Sequence, residues 1–315
     1  MDAPIDLRPE IFAAARERIR ELALHTPLLR LHVADRADIY IKCENLQAIG
    51  SFKIRCGANA LLRRREMARS GVFTASAGNF AQGLAYAGRA LGCPVTSYVP
   101  ETAASSKVEA LTRLGARVIA VPYDDWWAML AQPSDDPSFI HPVTDPDVLA
   151  GNGTIGLEIL EDLPRAATIL APYGGGGLSV GIAAALRAAG SDARVIACET
   201  EAGAPLTAAR AAGGPVTIDF NPRTFITGMG GPAVLPSMWP LARTLVADTA
   251  VVSLSQVASA IRLLVERHHL VAEGAGAATV AAALDRDFPG PVVCILSGGH
   301  LDTGHLVSIL QGNVP

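Results

Sequence analysis

Residues 168–186 read TILAPYGGGGLSVGIAAAL, and this stretch carries the most informative fold signal in the chain. The apolar run 168–171 predicts a buried strand and the alanine-rich run 179–189 predicts a helix, with four consecutive glycines between them. A glycine run before a helix leaves successive backbone N–H groups free to converge on an anion at the positive helix end. The stretch therefore predicts an α/β fold that holds an anion such as phosphate where a strand ends and a helix begins.

Short apolar runs rich in β-branched residues alternate with alanine- and leucine-rich runs along the rest of the chain. This alternation predicts an α/β protein with mainly parallel sheets. A Pro- and Asp-rich patch over 132–147 is the clearest break in the pattern. The further strand candidates are 39–42, 72–75, 95–99, 118–121, 195–198 and 292–296, and the helix candidates include 9–24, 81–91, 107–114 and 255–268.

The composition limits the classes of function that fit. The chain has 315 residues, of which 50% are hydrophobic and 18% charged, so it is long enough for about two packed domains and is not disordered. A net charge of −4 offers no basic surface for nucleic acid or for anionic membranes, so a small molecule is the expected partner. The uncharged span 166–186 has four glycines at its centre, and we expect no membrane crossing there.

The cysteines and the N-terminus bear on the compartment. Five cysteines are scattered without a C-x-x-C spacing, so we expect neither a disulfide framework nor a zinc site. Residues 1–8 are polar and lack an apolar core, so we expect no signal peptide. Both observations predict a cytoplasmic protein.

Two glycine motifs admit rival interpretations. The segment 151–156, GNGTIG, matches the dinucleotide fingerprint G-x-G-x-x-G, but it follows a poor strand and no acidic residue lies about 20 positions beyond it. We interpret it as a helix entry packed near another site. The segment 177–181, GLSVG, matches the nucleophile elbow of α/β-hydrolases with Ser179 as the nucleophile. An elbow explains two of the four glycines and a phosphate cradle explains all of them, so a serine hydrolase is kept as an alternative of a different class.

Lys53 lies in the segment 50–55, GSFKIR, where Ser51 is a candidate N-cap and the lysine falls in the first helical turn. This is the unfavourable end of the helix dipole for a cation, which predicts a lowered pKa and a neutral amine that can bond a carbonyl carbon. Taken alone, a lysine in this position is more often an ordinary surface residue.

Two further turns follow strand candidates. The segment 76–79, SAGN, precedes a helix, and its N–H groups and asparagine amide are suited to a carboxylate, although an ordinary capping turn fits equally well. The segment 297–300, SGGH, follows the apolar run 292–296, and a hydroxyl there is often only a satisfied polar group of the core.

Taken in order along the chain, these motifs resemble those of the fold-type-II pyridoxal-phosphate enzymes, and within them the branch of threonine/serine dehydratases and serine racemases. The resemblance covers nearly the whole chain, from residue 25 to residue 302. Several ordered motifs are more specific than any one of them. The matching segments are ENLQ at 44–47, SFKIR at 51–55, SAGN at 76–79, GGGGL at 174–178 and SGG at 297–299.

The resemblance implies pyridoxal 5'-phosphate as the cofactor and a role for each motif. Lys53 is implied as the catalytic residue, which binds the cofactor covalently and moves the α-proton of the substrate. Phe52 is implied to lie against the cofactor ring, Asn79 to contact its 3'-oxygen and Ser297 to hydrogen-bond its ring nitrogen. The residues implied to hold the phosphate are Gly174, Gly175, Gly176, Gly177 and Leu178, and those implied to bind the substrate carboxylate are Ser76, Ala77, Gly78 and Asn79.

The resemblance also implies the architecture and the reaction. We expect two open, mainly parallel sheets flanked by helices, as in tryptophan synthase β, with a small substrate-closing domain (72–141) inserted in a large cofactor-binding domain (1–71 and 142–315). A neutral hydroxyl at Ser297 does not keep the ring nitrogen protonated, which favours loss of a β-hydroxyl from the substrate. The implied reaction is α,β-elimination from a 3-hydroxy amino acid (L-threonine, L-serine or a bulkier analogue) to a 2-oxo acid and ammonia. The implied assembly is a homodimer or a higher homo-oligomer.

Departures from the family pattern bear on the substrate and on a metal. Ala77 stands where racemases of this branch carry a serine, so racemisation is disfavoured, although an amino-acid racemase and a β-replacement enzyme are kept as alternatives. Phe80 replaces a usual histidine and His300 a usual asparagine, which leaves the identity of the substrate side chain open. Glu199 is followed six positions on by Pro205 instead of the aspartate of the family's cation site, so no metal is expected.

Overall fold

The structure is a computed structural model that describes residues 8–33, 38–131 and 134–315. Residues 1–7, on which the expected absence of a signal peptide rests, lie outside this description, and so do Gln132 and Pro133 of the Pro- and Asp-rich patch. Within the described ranges, no helix has the length and apolar character that a membrane crossing requires.

The described chain contains nine strands: β1 (Leu28–Arg30), β2 (Ile39–Lys42), β3 (Val72–Ala75), β4 (Val95–Pro100), β5 (Arg117–Val121), β6 (Thr168–Pro172), β7 (Arg194–Thr200), β8 (Asp248–Val252) and β9 (Val292–Ile295). Six of them form a sheet in the order β1-β2-β9-β6-β7-β8, in which β1 and β2 are antiparallel and the other neighbours are parallel. The other three form a parallel sheet in the order β3-β4-β5.

The described helices are α1 (Pro9–Ile19), α2 (Lys53–Arg63), α3 (Asn79–Leu91), α4 (Ser105–Arg113), α5 (Tyr123–Ala131), α6 (Pro146–Asp162), α7 (Gly177–Ala188), α8 (Pro205–Ala212), α9 (Trp239–Leu245), α10 (Leu254–His268), α11 (Gly274–Asp285) and α12 (Thr303–Leu310). α1 ends before the predicted end at residue 24, because the chain turns where the Ile19 carbonyl accepts hydrogen bonds from both Leu22 N and Ala23 N.

Two mainly parallel sheets flanked by helices confirm the predicted fold class. The predicted strands are present, but β1 and β8 were not predicted. Both lie at the edges of the six-stranded sheet, and several of their side chains are exposed. An edge strand of this kind lacks the continuous apolar run by which a central parallel strand is recognised.

The three-stranded sheet takes all its strands from residues 72–121, within the segment predicted as the small domain. α2, which precedes that segment, shares an apolar core with it, in which Ile54 and Leu61 of α2 pack with Leu84 of α3 and Val72 of β3. The division of the chain into domains at residues 72 and 141 stays a prediction.

The G-x-G-x-x-G segment at 151–156 lies inside α6, so its interpretation as a helix entry was wrong. The helix begins earlier because Asp145 caps it, its carboxylate accepting hydrogen bonds from Asp147 N and Val148 N. An ideal Cβ on Gly151 would lie 2.6 Å from Cys56 Cα in α2, and one on Gly153 would lie 2.8 Å from the carbonyl oxygen of Gly181 in α7. The glycines therefore let α6 pack closely against both helices, which begin at Lys53 and at Gly177.

Candidate active site

A pocket of about 710 Å³ lies where β3, β6 and β9 end. In parallel sheets the carboxyl ends of strands are where ligands bind. The structure brings together there nearly all the site residues predicted from the sequence. The predicted residues that line the pocket are Phe52, Lys53, Ser76, Gly78, Asn79, Gly174, Gly175, Gly176, Gly177, Leu178 and Ser297. Ala77 does not line it, and its side chain packs against the apolar core shared by α2 and α3.

Lys53 is the first residue of α2 and projects into the pocket between two aromatic rings. Its Nζ lies 4.8 Å from the centroid of the Phe52 ring and 5.6 Å from that of Phe80. Burial lowers the pKa of this amine, and the charges of Cys56 and Glu273 oppose the effect only in part. The site therefore favours the neutral amine, whose lone pair is nucleophilic.

The backbone around Lys53 is held from two sides. Phe52 N donates to Ser297 O (3.0 Å), and Ser51 pairs in antiparallel fashion with Gly298, so the start of α2 is joined to the loop after β9. Ser51 Oγ accepts from Lys53 N (3.3 Å), in the manner of an N-cap, although the helix begins at Lys53 itself. On the other side, an ideal Cβ on Gly83 of α3 would lie 2.4 Å from Lys53 O. This close contact places α3 directly against the lysine.

A buried ion network holds α2 two residues beyond the lysine. Arg55, 1% exposed, donates to both carboxylate oxygens of Glu44 (2.8 Å each) and to both of Glu158 (2.6 and 2.8 Å). Lys42 Nζ lies 2.7 Å from Glu158 Oε2 and completes the network. Burial by itself would raise the pKa of Glu44. The charge and hydrogen bonds of Arg55 have the larger, opposite effect, so the pKa of Glu44 is lowered. The sequence placed Arg55 and Glu44 in motifs without a structural role, and it did not connect them with Glu158.

The glycine run forms another part of the pocket wall. An ideal Cβ on Gly174 would lie 2.9 Å from Gly228 O, and one on Gly175 would lie 2.7 Å from a methyl carbon of Val143. Gly176 has a φ of +93°, a conformation that favours glycine. Gly177 begins α7, and the first N–H groups of a helix have no acceptor within the helix. The run therefore packs against neighbouring segments where side chains would not fit, and it lines the pocket with backbone N–H groups in a cradle suited to an anion.

Ser297 has a buried hydroxyl, 1% exposed, whose Oγ has no hydrogen-bond partner within the described part of the chain. It lines the pocket directly after β9. Since buried hydroxyls are nearly always hydrogen-bonded, this one points to a ligand that supplies the partner.

Ser179 Oγ, in α7, is likewise buried without a partner in the described chain, but Ser179 is absent from the pocket wall. A nucleophilic serine needs a base within hydrogen-bond reach and access to the substrate. The geometry therefore does not support the alternative of a serine hydrolase.

Glu273 is a pocket residue to which the sequence assigned no role. Both of its carboxylate oxygens lie 3.2 Å from Asn79 Nδ2. Burial raises the pKa of Glu273 to about 7, against the opposing effects of the Asn79 hydrogen bonds and of Lys107 and Lys53. The available signal was a single acid within the otherwise uncharged segment 270–283, since an isolated acid among apolar residues is often a buried carboxyl group.

Glu199 caps a helix. Its carboxylate accepts hydrogen bonds from Leu206 N (2.7 Å), Thr207 N (2.9 Å) and Thr207 Oγ1 (2.6 Å) at the start of α8. Over residues 8–33, 38–131 and 134–315, no group of three or more His, Cys, Asp or Glu side chains is arranged to hold a metal ion.

Comparison with known proteins finds that the chain is similar to pyridoxal-phosphate-dependent enzymes in both sequence and structure. The family model described as "Pyridoxal-phosphate dependent enzyme" matches residues 19–298. The L-threonine ammonia-lyase of Geobacter sulfurreducens is 40% identical over 94% of this chain and 76% of its own length. Among solved structures, a threonine deaminase from T.th. has a TM-score of 0.84 at 32% identity, covering 94% of this chain and 99% of that one. Maize serine racemase has a TM-score of 0.84 at 29% identity, covering 97% of each chain.

Proposed function

Because the chain belongs to the family of pyridoxal-phosphate-dependent enzymes, we propose that it is a dehydratase, or ammonia-lyase, of 3-hydroxy amino acids. Family membership confirms the resemblance inferred from the sequence and the expectation of pyridoxal phosphate as the cofactor. The reaction is α,β-elimination from L-threonine, L-serine or a bulkier analogue, giving a 2-oxo acid and ammonia. Relatives at 40% and 38% identity named L-threonine ammonia-lyase support this reaction.

One observation carries the proposal. The pocket combines an amine of lowered pKa on Lys53, a four-glycine anion cradle and a buried hydroxyl on Ser297 that lacks a partner in the described chain. These three features fit the aldehyde, the phosphate and the ring nitrogen of pyridoxal phosphate. We therefore assign Lys53 as the covalent anchor, Ser297 as the partner of the ring nitrogen, Phe52 as the ring contact and Asn79 as the partner of the 3'-oxygen. The phosphate ligands in this assignment are the N–H groups of Gly174, Gly175, Gly176, Gly177 and Leu178.

When bound, pyridoxal phosphate supplies an electron sink that stabilises negative charge at the substrate α-carbon. The chain's own residues bind the substrate and move its proton. The turn 76–79 lies at the N-terminus of α3, where the helix dipole and free N–H groups favour the substrate carboxylate. The amine of Lys53 takes the α-proton at Nζ, because burial lowers its pKa and so favours the neutral form that can accept a proton. The side chain of Ala77 is neither an acid nor a base and packs against the apolar core, so it cannot return a proton to the substrate, which favours elimination over racemisation.

The proposed activity is tested with the purified protein and pyridoxal phosphate. We expect a yellow holoenzyme that releases 2-oxo acid and ammonia in equal amounts from L-threonine, L-serine or a bulkier 3-hydroxy amino acid. Chiral analysis of the remaining amino acid and assays with added thiol nucleophiles measure racemisation and β-replacement in the same samples. A colourless protein that takes up no cofactor would contradict the proposal.

The variant Gly174→Ala is expected to weaken cofactor binding by at least about tenfold, or about 1.4 kcal/mol. Its Cβ would lie 2.9 Å from the backbone oxygen of Gly228, so the cradle must shift to accommodate it. Equilibrium titration of the apoprotein with pyridoxal phosphate measures the effect. Gly214→Ala is the matched control, since a Cβ there meets nothing within 4 Å, and it should bind the cofactor as the parent protein does. Equal cofactor affinities for the two variants would contradict the assignment of the phosphate to this cradle.

We further propose that the enzyme is a cytoplasmic homodimer or higher homo-oligomer, and that residues 72–141 close over the substrate as a small domain. Relatives of this chain are named as enzymes of free amino acids, which supports a small-molecule substrate. Light scattering on the purified protein measures its mass in solution. Solution scattering with and without a substrate analogue tests the closure, and an unchanged profile would argue against it.

A further inference from the structure

Glu273 is buried at the wall of the pocket, directly before α11. Its side chain is 3% exposed, and its backbone N–H donates to Gly298 O (2.9 Å). An ideal Cβ on Gly298 would lie 2.5 Å from Glu273 Oε1, so the loop after β9 passes directly over the carboxyl group. Two neighbouring segments therefore fix the position of the carboxyl group. One is the loop after β9, and the other is the start of α3, where Asn79 lies.

The carboxyl group has few hydrogen-bond donors. Within the described chain, the nitrogen of one carboxamide, Asn79 Nδ2, serves both oxygens at 3.2 Å. An ionised carboxylate offers about four acceptor sites, and leaving most of them without donors in a buried place is costly. The charged and titratable groups that line the pocket with it come from three elements. They are Lys53 at the start of α2, Lys107 and Arg113 on α4, and His300 and Asp302 on the loop before α12. Lys107 and Lys53 favour the ionised form, but burial outweighs both and raises the pKa of Glu273 to about 7.

We propose that Glu273 is a positioning residue that sets, by its own protonation, which end of the Asn79 carboxamide faces the cofactor. An ionised carboxylate accepts hydrogen bonds only, so it faces the NH₂ group of Asn79 and leaves the carboxamide oxygen for the cofactor. A protonated carboxyl group donates through its O–H, so it holds the carboxamide oxygen and leaves the NH₂ group for the cofactor. The proton exchanges with solvent through the pocket, which Glu273 lines.

The consequence concerns the 3'-oxygen of pyridoxal phosphate. This inference rests on the proposed function, because it takes Asn79 as the partner of that oxygen. An NH₂ group facing the oxygen stabilises its ionised form, whereas a carboxamide oxygen stabilises its protonated form. The absorption spectrum of the bound cofactor reports this proton. Glu273 thereby couples the pH of the solution to the proton state of the cofactor through the carboxamide of Asn79.

The test is a pH titration of the absorption spectrum of the holoenzyme and of its Glu273→Gln variant between about pH 6 and pH 9. The parent spectrum should change with a midpoint within about one unit of pH 7. Glutamine is neutral at every pH and can donate to the Asn79 oxygen, so the variant should keep the low-pH spectrum throughout. Glu199→Gln removes another buried carboxyl group, which lies outside the pocket wall, and it should keep the parent transition.

The possible outcomes distinguish a failure of the proposed role of Glu273 from a failure of the proposed function. A Glu273→Gln holoenzyme whose spectrum changes with the parent midpoint overturns the proposal and leaves the proposed function intact. A protein that takes up no cofactor contradicts the proposed function instead. If Glu273→Gln does not fold, Asn79→Ala takes its place, because removal of the carboxamide should also abolish the transition. A parent-like midpoint in Asn79→Ala overturns the proposal in the same way.

Discussion

The variant Lys53→Ala is expected to form no 2-oxo acid from any 3-hydroxy amino acid, a loss of at least about 10³-fold. It is also expected to keep no cofactor attached after borohydride reduction and denaturation. The methyl group of alanine offers neither a nucleophile for the cofactor nor a base for the α-proton. The measurements are initial rates of 2-oxo acid release and the mass of the reduced, unfolded protein. The fold should survive, because Lys53 lies at the pocket wall and makes no side-chain ion pair within the described chain.

A second lysine in the pocket provides the control. Lys107, on α4, also lines the pocket, and its amine is another group that an aldehyde can reach. Lys107→Ala should keep the covalent attachment of the cofactor after reduction. Peptide mapping of the reduced parent protein should find the label on Lys53. A label on Lys107, or activity in Lys53→Ala above a thousandth of the parent rate, would reject the assignment of the base.

The variant Arg55→Met should lose about 3–5 kcal/mol of stability, the expected result of removing one partner from a buried ion pair. Arg55 is the partner of both Glu44 and Glu158, and both acids are buried. Lys42 compensates Glu158 in part, but Glu44 keeps only the hydroxyl of Thr26 and the amide of Gln47 as side-chain donors in the described chain. Chemical denaturation of the apoprotein measures the loss. Since α2 carries Lys53, weaker cofactor binding should accompany it.

The pH dependence of this variant has a definite sign. In the parent protein Arg55 lowers the pKa of Glu44 below its ordinary value. The ionised pair therefore stabilises the fold fully at pH values above the ordinary pKa of a glutamate. This stabilisation is lost as the pH falls through the lowered pKa of Glu44. Without Arg55 the buried Glu44 binds a proton more readily, so the stability difference between variant and parent should shrink toward acidic pH. Arg262→Met, which breaks an exposed pair with Glu266, should cost no more than about 1 kcal/mol. Equal losses for the two variants would contradict the role of burial.

Much of the candidate site follows from local signals in the sequence. The glycine run after an apolar strand, the lysine at a helix start and the turn at 76–79 each occupy a few consecutive residues. Every parallel strand delivers its following loop to the same edge of the sheet, so local motifs after several strands converge without further information. For this reason all the residues predicted to bind the cofactor or the substrate carboxylate, except Ala77, line the pocket. The G-x-G-x-x-G segment shows that a local motif can mislead, because its glycines serve helix packing and not a turn.

Short-range patterns of polarity, glycine and helix starts were enough to predict the fold class, the family and most of the residues that line the pocket. The way in which these residues are supported follows only from the packing of distant elements. Asn79 and Glu273 are 194 positions apart, and Arg55 and Glu158 are 103 apart, yet both pairs are in hydrogen-bond contact. Whether a carboxyl group is ionised depends on its burial and on the donors around it, and both are set by elements distant in the chain. The proton state of Glu273 and the position of Lys53 are therefore properties of the packed molecule.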